Sequence, residues 1–353
     1  MHLVGIVENM ARFVEIDEHA DILNLRKHPF LSVSQIVHTK KIVLVPLQDV
    51  MDILTAFPTE EVDVVWCFRI ARSGSTLWCQ MFYALPNWIV YSEPTALLCS
   101  VVRAHNILNV AEFTKTEEFE TMVITTIKMH ILMAPKHHSI FWKSSGGLDE
   151  YMIPVIKKHF PSHRLLFSYR DCLPSAMSYY NSFGHEPWLL HMMHHTNSET
   201  SGRPDWTFLS DTARFGWLIL TNGFNLKFLK TLVGKCRPKP NGFEWSILLW
   251  ASRVAMIREY LASGINIKTL RYDDLRRDPV DTVCDLFSHL GISLDLISLA
   301  LEAMKIDSQA SASCSHKKRV SNKCWVRTSE SDQRCNSMLE TFNFPDLDSE
   351  FQL

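Results

Sequence analysis

The feature that most constrains the fold is a long apolar run at residues 62–70 (V-D-V-V-W-C-F-R-I) that leads directly into a short polar turn. A continuous apolar run of this length is typical of a parallel strand buried on both faces of a sheet. The turn, Ser73-Gly74-Ser75-Thr76, precedes a helical pattern that Pro86 and Asn87 bring to an end. The sequence therefore predicts a buried strand, a tight loop and a helix in succession.

Further strands and helices are predicted along the rest of the chain. The predicted strands are 41–46, 139–143, 163–170 and 266–275, and the predicted helices are 47–57, 149–160, 244–262 and 280–290. Strands that alternate with helices indicate an α/β fold in three layers, with a central parallel sheet flanked by helices. We expect an ancillary N-terminal segment, 1–60, and one α/β domain, 61–353, with a substrate-facing insert at about 183–243. Ligands of such sheets bind beyond the carboxyl ends of the strands.

The composition of the chain limits the kinds of function that we expect and the cellular compartment in which we expect the protein. The chain has 36 basic and 38 acidic residues and a net charge of -2. This lack of a basic excess argues against an extended nucleic-acid-binding surface. No segment is long and apolar enough to span a membrane, and the N-terminus lacks the pattern of a secretory signal. The nine cysteines contain no C-x-x-C spacing, as expected for reduced thiols. These observations predict a soluble, cytoplasmic protein.

Two segments of the sequence are candidate anion sites. The first is Arg72-Ser73-Gly74-Ser75-Thr76, where backbone N–H groups, hydroxyls and a helix N-terminus converge beside a guanidinium. It lacks the Walker A pattern, and the simplest alternative is a capped turn without a ligand. The second pairs Arg170 with Ser178, eight residues later and about one turn into a helix. Taken alone, this pair also fits a surface arginine and a capping serine.

Together, these motifs resemble those of the sulfotransferases that use 3′-phosphoadenosine 5′-phosphosulfate (PAPS). The resemblance rests on three motifs: R-S-G-S-T at 72–76, R-D-C-L-P-S-A-M-S-Y-Y at 170–180 and L-R-Y-D-D-L-R-R-D-P at 270–279. It implies a P-loop-like sulfotransferase architecture and a sulfuryl transfer to a hydroxyl or amine acceptor, without a metal. It assigns the 5′-phosphosulfate to residues 72–76 and the 3′-phosphate to Arg170 and Ser178, and it adds Leu77 to the cofactor-binding residues at the position that stacks on adenine.

The catalytic residues implied by the resemblance depart from the cytosolic small-molecule branch. That branch has a histidine base after the second strand, where this chain reads Lys143-Ser144-Ser145, and it stacks adenine on a tryptophan where this chain has Leu77. Other branches use a glutamate after the first helix, and Glu93 occupies that place. We expect Glu93 to be the general base, with Arg72 and Lys143 stabilising the bridging and leaving oxygens. The alternative for Glu93 is a capping or structural carboxylate.

Two further segments allow more than one interpretation. The basic loop Lys317-Lys318-Arg319 fits closure over the 3′-phosphate or a solvated charge run. The cluster His191, His194 and His195 lacks acidic or cysteine partners at ligand spacing, so we expect no metal site there. The alternatives for the whole chain are a catalytically inactive nucleotide-binding or scaffold homologue and, less favoured, a P-loop kinase.

Overall fold

A computed structural model describes most of the chain. The described residues are 1–7, 9–56, 62–94, 96, 115–144, 149–181, 242–306 and 326–353. Contacts between residues divide the chain into two compact units. The first unit comprises Met1–Arg69, Gly74–Tyr169 and Ile265–Ala312, and the second comprises Ile70–Ser73, Arg170–Gly264 and Ser313–Leu353.

The strands and helices alternate along much of the described chain. The strands are β1 (His2–Val7), β2 (Met10–Ile16), β3 (Thr39–Pro46), β4 (Val64–Arg69), β5 (Trp88–Ser92), β6 (Ser139–Lys143), β7 (Arg164–Tyr169) and β8 (Lys268–Arg271). The helices are α1 (Leu31–Val37), α2 (Leu47–Ala56), α3 (Ser75–Tyr83), α4 (Glu117–Met133), α5 (Ile153–His159), α6 (Cys172–Tyr179), α7 (Gly242–Ala262), α8 (Tyr272–Arg277), α9 (Pro279–Leu290), α10 (Ile297–Met304) and α11 (Ser329–Glu340).

The centre of the first unit is a five-stranded parallel sheet with the order β5-β6-β4-β7-β8. The first of these strands in the chain, β4, lies in the middle, so the connections run outwards to both sides of it. Its residues Val64–Phe68 are all fully buried, which explains the uninterrupted apolar run in the sequence. A separate antiparallel sheet, β1-β2-β3, forms from the N-terminal segment.

Helices cover both faces of the central sheet. Because side chains alternate along a strand, Val65 and Cys67 of β4 point to one face and Trp66 to the other. The first face carries a core that includes side chains of α3, α9 and α10, among them Trp78 and Phe287. On the second face Trp66 stacks on Trp142, whose ring lies 4.8 Å from the ring of His130 of α4.

The second unit is built around α7. This helix packs against α6 and α11, and its first turn carries Glu244, whose carboxylate receives two hydrogen bonds from Arg334, at 2.6 and 2.8 Å. The ring of Trp250, also on α7, contacts the rings of Phe344 and Phe351 near the C-terminus. The C-terminal residues are therefore anchored to α7 by an ion pair and by aromatic contacts.

The structure confirms the predicted α/β class, with a central parallel sheet between helices. The strands predicted at 139–143 and 163–170 are present as β6 and β7. The strand predicted within 266–275 is shorter, because β8 ends at Arg271 and the following residues form helix α8. Helix α9 ends at Gly291, whose positive φ of 64° is the conformation that favours glycine at that position. The predictions missed several elements, namely β1, β2, β5, α1, α4, α8, α10 and α11. The predicted insert at 183–243 lies almost wholly outside the described residues. The domain boundary at residue 60 stays a prediction.

Candidate functional site

Three polar side chains meet at the carboxyl edge of the central sheet. Arg69 is the last residue of β4, Lys143 is the last residue of β6, and Glu93 directly follows β5. These strands are neighbours and run parallel, so their carboxyl ends lie together. Ligands bind beyond this edge in open α/β sheets, which makes the cluster a candidate site.

The carboxylate of Glu93 is held by two cations. Its Oε1 atom lies 2.7 Å from Arg69 Nη2 and 2.7 Å from Lys143 Nζ, and the side chain is 11% exposed. Burial by itself would raise the pKa of Glu93, but the charges and hydrogen bonds of Arg69 and Lys143 outweigh it and lower the pKa below its usual value. Glu93 is therefore a carboxylate at neutral pH.

Lys143 connects this carboxylate to the polar loop before α3. Its Nζ atom donates to Thr76 Oγ1 at 3.1 Å and to Glu93 Oε1, and it lies 5.0 Å from the centre of the Phe30 ring. Only 1% of the lysine side chain is exposed. These contacts hold the ammonium between Glu93 and Thr76, so Lys143 is placed to stabilise negative charge beside the first turn of α3.

The backbone at Glu93 is in the left-handed region, with a φ of 57°. Non-glycine residues adopt this conformation at a cost of order 1–3 kcal/mol, and such strained residues cluster at functional sites. Two backbone hydrogen bonds hold it there, from Glu93 N to Lys143 O at 3.0 Å and from Ser32 N to Glu93 O at 3.1 Å. The N-terminal segment thus contributes directly to the position of this carboxylate.

Arg69 belongs to this cluster although the sequence analysis did not select it. Its Nη2 atom contacts Glu93, and its Nε atom donates to the carbonyl of Ser144 at 3.2 Å. The available signal was a single arginine at the end of an otherwise apolar strand. Only the pairing of β4 with β6, and of β6 with β5, brings that arginine beside Glu93.

The loop before α3 requires a glycine at position 74. Gly74 has a φ of 76°, and a Cβ atom added there would lie 2.2 Å from Cδ2 of Tyr272. Both the backbone conformation and the close approach of the ring exclude a side chain. Ser75 and Thr76 open α3 and are buried, whereas Leu77 packs against the core of the first unit.

In the second unit the two sequence motifs are in direct contact. Arg72 Nε donates to Ser178 Oγ at 2.9 Å, which joins the first motif to the second. Ser175 Oγ donates to the carbonyl of Ala71 at 3.1 Å, so α6 supports the same turn. Arg72 has a φ of 68°, and Ser73 Oγ donates to the carbonyl of Ile70. The fold thereby brings together Arg72 and Ser178, which are far apart in the sequence and were both predicted to bind an anion.

Arg170 precedes α6 and is held through its backbone. Its carbonyl accepts a hydrogen bond from Trp250 Nε1 at 2.7 Å. The neighbouring Asp171 accepts one from the backbone N–H of Phe351 at 3.3 Å. The corner that carries Arg170 is therefore fixed by α7 and by the C-terminal residues.

Several predicted residues lie outside the described ranges. They are Lys317, Lys318 and Arg319 of the basic loop and His191, His194 and His195 of the histidine cluster. Within the described part of the chain, no group of three or more histidine, cysteine, aspartate or glutamate side chains is placed to hold a metal ion. No helix in the same ranges is long and apolar enough to cross a membrane.

The chain is similar to several proteins of solved structure. No protein-family model matches the chain, and no curated protein matches it. The sulfotransferase domain of the olefin synthase from Synechococcus PCC 7002 is 14% identical, with a TM-score of 0.43, over 82% of this chain and 98% of that chain. The sulfotransferase domain from the curacin biosynthetic pathway is 10% identical, with a TM-score of 0.42, over 80% and 98%.

A third structure is sulfotransferase STF9 from Mycobacterium avium, 13% identical with a TM-score of 0.40, over 86% of this chain and 83% of that chain. All three of these structures are sulfotransferases. At such low identity, the proposals below depend on contacts between residues of this chain.

Proposed function

We propose that this protein is a sulfotransferase that moves a sulfuryl group from PAPS to an acceptor hydroxyl or amine. The observation that carries the proposal is the hydrogen bond between Arg72 Nε and Ser178 Oγ. These two residues are 106 positions apart, and each belongs to a sequence motif that we predict to bind phosphate or sulfate. Their contact supports a common role in binding an anionic ligand, since a guanidinium fork and a hydroxyl both donate to phosphate oxygens.

The proposed transfer is an in-line displacement at sulfur. The acceptor oxygen or nitrogen forms the new bond to sulfur, and the bond from sulfur to the bridging oxygen breaks. The bond electrons leave with adenosine 3′,5′-bisphosphate, and the acceptor proton passes to Glu93. Most of the rate enhancement comes from alignment and from charge stabilisation at the bridging oxygen.

Lys143 and Glu93 have complementary roles in this scheme. The ammonium of Lys143 contacts Thr76 of the loop and Glu93, so the same cation adjoins a donor-binding residue and the proposed base. Negative charge that develops on the bridging oxygen attracts this ammonium. When the ammonium of Lys143 turns from Glu93 towards that oxygen, Glu93 loses one neighbouring cation and becomes a stronger base. Proton acceptance and leaving-group stabilisation then occur together.

The function is tested by transfer of radiolabelled sulfuryl from PAPS to a panel of phenols, alcohols and amines. We expect turnover by the wild-type protein and none by Glu93→Gln, while the affinity for adenosine 3′,5′-bisphosphate stays nearly unchanged. Glu120→Gln is the matched control, because Glu120 also pairs with a lysine, Lys158, but on a more exposed helix start. Wild-type rates in Glu93→Gln would remove Glu93 from the mechanism.

A second candidate function is nucleotide binding without catalysis. The observation that favours it is the pair of cations on Glu93 Oε1, which lowers the pKa of the carboxyl and makes it a weak base in this state. This candidate predicts that adenosine 3′,5′-bisphosphate binds, with loss of affinity in Arg72→Ala and Ser178→Ala. It also predicts that no acceptor in the panel is sulfated. Mg²⁺-dependent turnover of ATP would instead support a kinase.

A further inference from the structure

Arg69 is the one member of the Glu93 cluster to which the sequence motifs assign no role. It is the last residue of β4, and its contacts across the edge of the sheet include one with Glu93 and one with Ser144. Its Nη2 atom lies 2.7 Å from Glu93 Oε1, and its Nε atom lies 3.2 Å from the carbonyl oxygen of Ser144. The guanidinium is 12% exposed. Because one planar group contacts the residues that follow both β5 and β6, its orientation is fixed.

The two oxygens of Glu93 have different surroundings. Arg69 and Lys143 both contact Oε1. Within the described ranges, no side chain donates a hydrogen bond or ion pair to Oε2. The cations therefore fix the rotation of the carboxylate through one oxygen and leave the other to accept a proton.

The two cations also differ in what else they contact. Lys143 contacts Thr76 of the loop, so it is the cation that can turn towards a bound donor. Arg69 contacts a backbone carbonyl as well as Glu93, so its planar guanidinium is tied to the backbone that follows β6. When Lys143 moves, Arg69 keeps both the charge and the orientation of Glu93.

We propose that Arg69 is a positioning residue that keeps Glu93 ionised and turned towards the acceptor while Lys143 serves the donor. This inference rests on the proposed function. It predicts that Arg69 sets the lower pH limit of activity, since protonated Glu93 cannot accept the acceptor proton. Among the described residues, the ionisable groups that act on Glu93 are Arg69 of β4, Lys143 of β6 and the thiol of Cys79 on α3. Burial raises the pKa of Cys79 to about 11, so this thiol does not titrate in the acid range.

The test is the pH dependence of kcat for sulfuryl transfer in Arg69→Gln and Arg69→Lys. Removing a cation at this distance should move the acid limb upwards by about one to three pH units. The lysine variant keeps the charge, and we expect it to restore much of the acid limb. Arg164→Gln is the matched control, because Arg164 also pairs with an acidic residue, Asp63, but at the opposite edge of the same sheet.

A second measurement separates this proposal from the proposed function. The carboxyl band of Glu93 is assigned by infrared difference spectroscopy against Glu93→Gln and titrated in wild type, Arg69→Gln and Arg164→Gln. An upward shift confined to Arg69→Gln supports the role of Arg69, even if the wild-type protein sulfates no acceptor and the proposed function fails. An acid limb and a carboxyl titration that both stay at their wild-type positions in Arg69→Gln would overturn the proposal. Unchanged binding of adenosine 3′,5′-bisphosphate by Arg69→Gln shows that the variant is folded.

Discussion

The replacement of Gly74 by alanine tests the account of the polar loop most sharply. Two costs add at this position. An L-residue in the left-handed region costs about 1–2 kcal/mol, and forcing a methyl group into a packed contact typically costs about 1–3 kcal/mol. A Cβ at 2.2 Å from Tyr272 Cδ2 requires the ring or the loop to move. We therefore expect Gly74→Ala to lower the free energy of unfolding by about 2–5 kcal/mol.

A double-mutant cycle separates these two contributions. In a Tyr272→Ala background the steric cost disappears, so Gly74→Ala should cost only the conformational part, about 1–2 kcal/mol. The assay is equilibrium unfolding in urea for the four proteins, with binding of adenosine 3′,5′-bisphosphate as a second readout of the loop. Equal costs of Gly74→Ala in both backgrounds would refute the close contact with Tyr272. A total cost below about 0.5 kcal/mol, the usual range for neutral surface changes, would refute the whole reasoning.

Two further substitutions should change the free energy of unfolding in a direction that follows from the structure. Burial lowers the pKa of His130 from 6.5 to about 4. Between these pH values the unfolded chain binds a proton at this histidine and the folded chain does not. The free energy of unfolding should therefore fall by roughly 3 kcal/mol as the pH falls from 6.5 towards 4. His130→Phe should remove that part of the pH dependence of urea unfolding, and an unchanged profile would contradict it. Arg334→Ala leaves the buried carboxylate of Glu244 without its bidentate partner, and we expect a loss of about 3–5 kcal/mol. The exposed Arg327 is the control, since Arg327→Ala should cost about 1 kcal/mol or less in the same unfolding assay; equal losses would refute the distinction.

The central strands could be predicted because burial on both faces leaves a simple signal. Strands β4, β6 and β7 consist almost entirely of buried residues, so each reads as a short apolar run bounded by turn residues. Strand β5 gives a weaker signal, because it lies at the edge of the sheet and two of its five residues are only half-buried. This strand depends on its pairing with β6, which no local pattern reports.

The candidate site was predictable only where a single segment carries the chemistry. The loop at 72–76 and the pair of Arg170 and Ser178 follow from local order, and the contact between Arg72 and Ser178 supports joining the two. Arg69 could not be selected in this way, because its partner lies 24 residues further along the chain. The strand order and register that bring them together are properties of the folded sheet.

The roles of Glu93 and Lys143 required the same information. The sequence placed Lys143 at the end of a strand and Glu93 in the segment after the first helix, but it did not indicate that their charged atoms are 2.7 Å apart. The consequence is electrostatic, since the pKa of Glu93 is lowered by neighbours from β4 and β6 although burial opposes it. A candidate base and its two cations therefore have to be considered as one group.

The central claim is that this protein binds the sulfuryl donor through the two motifs. Calorimetric titration with adenosine 3′,5′-bisphosphate tests it most directly, with 5′-AMP and ATP as controls and Arg170→Ala as the variant. We predict micromolar binding to the wild-type protein, marked weakening in Arg170→Ala and no binding of 5′-AMP. Absence of binding by the wild-type protein, or equal affinity for ATP, would contradict the claim.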